Sequence, residues 1–257
     1  MRIVLVVEYN GTEYSGWQRQ PGLRTVQGVL ENSISIVANH PVETSCSGRT
    51  DKGVHAFQQF VHFDSDAVRD EDSWLRGINS NLPSTIKVRD VVFSNPEFHA
   101  RHSSNARTYH YYIYNNKTSS ALFSNNLAWF PKKLNIPAMQ EACSLLVGTH
   151  DFSSFRSSEC QAKSPVKTII NLNIIERPNN IIVITVTANS FLYNMVRNIV
   201  GLLLMIGDGR YKPSYAKEIL ELRNRNNGVK KADPHGLYFI VSHYDAYPNY
   251  LFEKYLF

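Results

Sequence analysis

Cysteine is scarce in this chain of 257 residues: Cys46, Cys143 and Cys160 are the whole set, widely separated, with no C-x-x-C pair. That excludes a disulfide framework and a cysteine zinc site, and it suits a reducing compartment. Nine histidines are present. Neither the His99-Ala100-Arg101-His102 pair nor His55 and His62 lies near a cysteine or in an H-E-x-x-H pattern, so no metal is expected. G-x-G-x-x-G and the Walker loop are also missing, and Gly207-Asp208-Gly209 reads as a helix stop rather than a phosphate cradle, so no cofactor is called for. Long apolar runs are lacking too. Ile199 to Ile206 spans eight residues including Gly201, against the ~20 that cross a bilayer. The five apolar residues before Glu8 are too few for a signal-peptide core and fit a first core strand. The expectation is a cytoplasmic protein with no membrane segment.

What is present fits a globular chain. Hydrophobic residues make up 43% and charged residues 19%, enough to bury the core of one large domain or two of about 120 to 130 residues. Lysine and arginine exceed aspartate and glutamate by 27 to 22, giving +5 and a pI near 9.0, a balance that permits a polyanionic partner.

Periodicity predicts a strand over Arg2 to Asn10, then a polar loop to Arg24. Thr25 caps a helix whose apolar positions Val26, Leu30, Ile34 and Val37 recur at 3.6-residue spacing until Asn39. Thr44 to Ser47 is extended, Gln59 to Phe63 and Ile86 to Phe93 are strands, and Asp72 to Asn81 is a helix stopped by Leu82-Pro83. Further on, strands are expected at Arg107 to Asn115, Thr168 to Ile175, Ile181 to Ala188 and Leu237 to His243. Helices are expected at Ile136 to Leu146, Ser190 to Ile206 and Tyr215 to Asn224. Helices set between antiparallel-type strands predict an α+β fold with two similar halves, 1–105 and 106–257.

The run Gly48-Arg49-Thr50-Asp51-Lys52-Gly53-Val54-His55-Ala56 is the candidate for chemistry. Its glycines let the backbone turn and let a ligand approach. Arg49 beside Asp51 would hold the acid ionised, which suits a nucleophile and not a proton donor; a plain surface turn with an ion pair uses the same residues. The nearest candidates for a second carboxylate, Asp64 and Asp66, lie beyond a strand, so a one-carboxylate reaction that activates no water fits better than the two-carboxylate hydrolysis of glycosides. Along 109–114 each strand face carries two tyrosines, which are either core residues or, for Tyr109, a ring on which a base could stack. Arg197, within an apolar helix, is either a snorkelling cation or the partner of a buried carboxylate.

Together with these signals, a series of blocks resembles the TruA family of tRNA pseudouridine synthases over nearly the whole chain. They are Glu8-Tyr9-Asn10-Gly11, Gly16-Trp17-Gln18-Arg19-Gln20, Val26-Gln27, Gly48-Arg49-Thr50-Asp51 with Gly53-Val54-His55, Asn81-Leu82-Pro83 and Phe98-His99-Ala100-Arg101. Arg107-x-Tyr109, His150-Asp151-Phe152, Met195-Val196-Arg197-Asn198 and Gly236-Leu237-Tyr238 follow in order. The resemblance implies two RRM-like halves forming a continuous, mainly antiparallel sheet with a central active-site cleft. It further implies a homodimer acting without cofactor on uridines 38, 39 and 40 of the tRNA anticodon stem-loop. By it Asp51 is the nucleophile, Arg49 guards the space of a flipped base, Arg197 pairs with the acid, Tyr109 stacks on the uracil and Leu237 walls the pocket. Lys52, His55, Arg19 and Arg156 complete the expected substrate-binding set. Lys52 departs from the small residue common in the family, and Tyr193-Asn194 stand where some members carry histidines.

Overall fold

A computed structural model describes residues 1–247; of the aromatic tail expected to pack on a dimer, positions 248–257 lie outside the described residues. The described chain folds as two compact units, Met1–Asn105 together with the segment from Tyr238, and Ala106–Leu237.

In the first unit, β1 (Arg2–Tyr9) is followed by α1 (Val26–Ala38), β2 (Ser45–Cys46), β3 (His55–Asp64), α2 (Glu71–Asn81) and β4 (Ile86–Ser94). The strand β1 lies between β3 and β4, antiparallel to both, and β2 pairs antiparallel with β3. Helix α1 begins where the sequence signals it, with the Thr25 side chain accepting from the Gly28 N–H, and ends at Asn39 in the left-handed region, φ 60°. Asp70 caps α2 through the Ser73 N–H. On one sheet face Phe63 meets Trp74 of α2 edge to face at 5.4 Å. On the opposite face, one residue out of step, Phe60 packs on Tyr244 at 4.9 Å and Phe98 on Tyr244 at 5.2 Å. Both faces are therefore covered, which is why β1 reads as an almost unbroken apolar run.

The second unit comprises β5 (Ala106–Asn115), β6 (Ala128–Phe130), α3 (Ile136–Ser144), β7 (Gly148–Asp151), β8 (Val166–Arg177), β9 (Ile181–Ala188), α4 (Met195–Gly207) and α5 (Tyr215–Leu222). Strands β5, β9, β8 and β7 pair antiparallel in that order, and β6 adds parallel to β5. A bulge between Ile169 and Asn171 shifts β8 by one residue, so its buried positions change phase from Ile169 to Leu172 and Ile174. The last strand, β10 (Leu237–His243), runs parallel to β3 with Tyr238 opposite His55 and Phe239 opposite Ala56. The architecture is α+β with mixed, mostly antiparallel pairing, and no helix of the described residues is long and apolar enough to cross a membrane.

One element departs from expectation. The helix predicted from Ser190 starts at Met195 instead, because Asn194 adopts φ 61°, ψ 9° and a left-handed residue cannot continue a right-handed helix. Phe191 accordingly leaves the helix face and packs edge to face on Tyr109 at 5.0 Å. Strands β6 and β7, of three and four residues, have no counterpart in the sequence reading.

Two stability predictions follow from this packing. A Cβ on Gly11 would sit 1.9 Å from the Val54 carbonyl oxygen, whereas one on Gly22 meets nothing within 4 Å and is opposed only by φ +72°. Gly11→Ala should therefore cost ~3 kcal/mol or more in urea unfolding and Gly22→Ala ~1 kcal/mol; equal losses would contradict the close approach. Separately, burial pushes the His62 and His110 imidazoles from 6.5 down to about 4, with His99 and Arg2 adding to the effect at His62. The unfolded chain thus takes up protons that the folded one refuses as pH falls from 6.5 towards 4. Stability is full above that window and lost within it. The urea midpoint should drop between pH 7 and pH 5 by an amount equivalent to ~2 kcal/mol per histidine, and His110→Gln should make the drop shallower. A midpoint flat across that range would count against both assignments.

Candidate active-site residues

The segment 47–54 joins β2 to β3 and is fastened along its length. At its start, buried Gln59 on β3 closes both ends of one peptide: the Ser47 hydroxyl and the Gly48 N–H donate to its Oε1 at 2.5 and 3.2 Å, and its Nε2 donates to the Gly48 carbonyl at 2.5 Å. At mid-loop the Thr50 hydroxyl hydrogen-bonds the Tyr9 hydroxyl at 2.7 Å, and the Thr50 carbonyl accepts from the Trp17 N–H at 3.0 Å. Gly16, at φ +90°, makes that second contact possible, since a Cβ there would lie 2.9 Å from the Thr50 oxygen. A turn closed by the Val54 N–H on the Asp51 carbonyl, 3.1 Å, uses Gly53 at φ +79°. At the exit, the Gly11 N–H donates to His55 Nδ1 at 3.1 Å, which places the ring proton on Nε2, and the ring stacks on Tyr238 at 4.5 Å and 26°.

Asp51 stands half-buried in the middle of this fixed backbone. Its carboxylate is presented by a frame that does not have to be ordered when a ligand arrives, the condition under which a charged group is most effective on a reacting atom. The orienting ion pair expected of Arg49 is not formed. Arg49 is exposed and enters no hydrogen bond or salt bridge among the described residues. Its charge bears on the half-buried Cys46 thiol, which desolvation pushes up to about 12 and Arg49 draws back down. Lys52 is likewise exposed, whereas His55 is 1% exposed and supports the loop exit. Arg19 faces the carboxylates of Glu31 at 3.1 Å and Glu43 at 3.4 Å. Glu31, buried, also accepts at Oε1 from the Thr44 N–H, the Thr44 hydroxyl and Gln27 Nε2. The Gly-Trp-Gln-Arg and Val-Gln blocks are thus a clamp for the 12–24 loop, whose Gly16 and Trp17 hold Thr50.

The second unit fixes its candidates by equally local means. Arg197, in the first turn of α4, is 8% exposed. Its Nε donates to the Ala232 carbonyl at 2.8 Å and its Nη1 to Asn194 Oδ1 at 3.2 Å, while its own carbonyl accepts from the Ala232 N–H. Of the two alternatives open from sequence, a solvated snorkelling cation is therefore ruled out. One turn on, Gly201 lets the 230–232 strand of backbone lie on the helix, where a Cβ would be 1.9 Å from the Lys230 oxygen. Tyr109, on β5, is 9% exposed with its ring set by Phe191. Leu237 ends a 3-10 turn, Pro234–Gly236, that the Tyr111 hydroxyl ties down through the Asp233 carbonyl at 2.8 Å. Arg156 Nη2 donates to the Cys160 carbonyl at 2.7 Å.

Gln59 does this positioning without being singled out by the sequence, and Asn194 is marked there only as a departure from the family pattern. Only an apolar-flanked polar residue on a buried strand could have pointed to Gln59. Among the described residues no three of His, Cys, Asp and Glu converge as metal ligands.

Comparison with known proteins bears on the same residues. A sequence model described as tRNA pseudouridine synthase matches residues 5–103 and 142–245. The chain is 48% identical over 244 residues to a tRNA pseudouridine synthase A of Alcanivorax borkumensis, covering 95% of this chain and 91% of that one. It is 48% identical over 248 residues to the protein of that name from Herminiimonas arsenicoxydans, covering 95% and 90%. To that of Coxiella burnetii (strain Dugway 5J108-111) it is 43% identical over 249 residues, covering 97% and 94%. With two matched stretches that span both units and full-length relatives at this identity, the chain belongs to the tRNA pseudouridine synthase family.

Proposed function

We propose that this protein isomerises uridine to pseudouridine at positions 38, 39 and 40 of the tRNA anticodon stem-loop, with Asp51 as the nucleophile. Family membership makes it an isomerase acting on tRNA uridine. The observation that carries the finer reading is a single half-buried carboxylate held on a loop whose backbone is bolted at Gly48, Thr50 and Val54. A protein that merely bound RNA would gain nothing from presenting a fixed anion to a polyanion.

In this reading a target uridine leaves its stack, at a cost of a few kcal/mol, and Arg49, uncommitted within the protein, fills the space it vacates. The Asp51 carboxylate drives cleavage of the N1–C1′ bond, by attack on C1′ or by removing the 2′ proton to give a glycal. The freed uracil turns while Tyr109 holds its face and Leu237 its edge, C5 bonds to C1′ as the Asp51–C1′ bond breaks or, on the glycal route, as the 2′ proton returns, and the C5 proton departs as N1 gains one. No water is consumed. Arg197, buried and preset by Ala232 and Asn194, supplies a cation that keeps the acid ionised. Lys52 and Arg156 contact phosphates, and two copies of the chain pool their positive charge on one tRNA in the cytoplasm.

Asp51→Ala should abolish tritium release from C5-labelled uridine in unmodified tRNA while leaving tRNA affinity unchanged or slightly improved, because it removes a negative charge and no anchor. Turnover surviving in this variant would sink the nucleophile assignment; free uracil from the wild type would mean a hydrolase, and tight binding without release a passive RNA binder. Tyr109→Phe keeps the ring and loses the hydroxyl, so it should bind tRNA normally and slow proton release from C5. If its tRNA affinity falls instead, the hydroxyl is structural.

A further inference from the structure

We propose that the corner of the second unit formed by the ends of β5 and β6 and the β8–β9 turn is a separate RNA-contact site that takes an unstacked nucleobase and its flanking phosphates. A cavity of about 370 Å³ opens there, lined by Tyr114, Ser120, Phe123, Asn179, Asn180 and Ile181, within the ~300–1,000 Å³ of small-ligand sites. Two rings face it, and no carboxylate lines it. Phe123 is 37% exposed, a large apolar ring left partly in water. Tyr114 is oriented by Asn116, whose Nδ2 donates to the phenol oxygen at 2.9 Å. Trp129, the register partner of Tyr114 on β6, is 48% exposed and steered by its Nε1–H onto the Asn116 carbonyl at 2.8 Å. Three aromatic side chains thus share one end of the sheet, Tyr114 and Trp129 oriented through Asn116 and Phe123 partly in solvent.

The polar groups fit a base edge. Asn179 and Asn180 hold φ 62° and 60° in the turn, and their side-chain amides make no hydrogen bond among the described residues, so each has a donor and an acceptor to offer. The charges fit phosphate. Lys117 follows Asn116, and Asn115 draws the 130–132 backbone to the same place, its Nδ2 donating to the Phe130 and Lys132 carbonyls at 2.9 and 2.6 Å. Lys117, Lys132 and Lys133 are all exposed and in no salt bridge among the described residues. Asp208, whose carboxylate feels Lys132, is already paired with Arg210 at 2.8 Å. Stacking rings, amides with open donors and acceptors, and cations in no salt bridge are what proteins use to hold an unpaired nucleotide. The segment bearing Phe123 and Trp129 lies between the two stretches that match the family, 5–103 and 142–245.

The site rests on the reading of tRNA as substrate, and the test separates the two. Binding of unmodified tRNA and tritium release would be measured for the wild type, Phe123→Ala, Phe123→Tyr and the double change Lys132→Ala with Lys133→Ala. Phe123→Ala should raise Kd and KM about tenfold at unchanged kcat, as expected for loss of one stacked base, and Phe123→Tyr should restore both. The double lysine variant should lower the slope of log Kd against log salt by up to about two, a readout that stands even if Phe123→Ala does not fold. Wild-type turnover with Phe123→Ala and the lysine variant both indistinguishable from it would overturn this site and leave the isomerase intact. A wild type that neither binds nor turns over tRNA would remove the reading and this site with it. If Phe123→Ala splits a dimer into monomers at unchanged tRNA affinity, the surface is a protein contact and the proposal is wrong.

Discussion

Backbone lying directly on backbone, with no side chain between, is the constraint from which the candidate active site follows. Gly11 under Val54 and Gly16 against Thr50 bring two loops to distances that any Cβ would forbid. The fastenings at mid-loop and at the exit of the 47–54 segment depend on that closeness: the Trp17 N–H reaches the Thr50 carbonyl because Gly16 leaves room, and Gly11 offers its N–H to His55 from the same position. A loop of polar residues would otherwise be among the most mobile parts of a chain. Here the peptide groups of Gly48, Thr50, Asp51 and Val54 are held by protein partners, while the side chains of Arg49 and Lys52 are exposed and that of Asp51 is half-buried.

The second unit reaches the same end by another route. Arg197 is held by a carbonyl and an amide oxygen, neutral acceptors that orient a guanidinium without neutralising it. Arg19, by contrast, meets the carboxylates of Glu31 and Glu43 and acts as part of a scaffold. Two arginines that look alike in a motif are separated by their acceptors. His55 falls on the structural side of the same division: its Nδ1 and its ring face are both occupied, by Gly11 and Tyr238.

Much of this could be read in advance where the signal was local. Thr25 and Asn39 bracket α1 as their capping chemistry requires, Leu82-Pro83 stops α2, and β10 occupies 237–243 as its pattern indicates. Local signals fail where a residue's conformation is set from outside. Asn194 looks like a helical residue in an apolar repeat until its left-handed geometry, with its amide on Ser157 Oγ at 2.9 Å, cuts the helix at Met195. The bulge in β8 hides from any period-2 count because it changes the period's phase. The Arg-x-Asp spacing suggested an ion pair, yet in a turn held open by glycines the two side chains need not meet. Gln59 carried no mark at all, since its importance lies in three partners a dozen residues away.

The strand β10 has a consequence for how the protein is made. It is synthesised after the second unit, yet from Tyr238 onward it belongs to the first, where Tyr238 stacks on His55 and Tyr244 packs on Phe60 and Phe98. During translation an N-terminal unit commonly folds as soon as it emerges. This one lacks the parallel strand that pairs with β3 and the cover of its Phe60 face until residues 238–244 have been made. The exit of the loop that carries Asp51 thus gains the Tyr238 ring behind His55 only after the second unit has been made, so a product truncated before Tyr238 would carry the acid without that support.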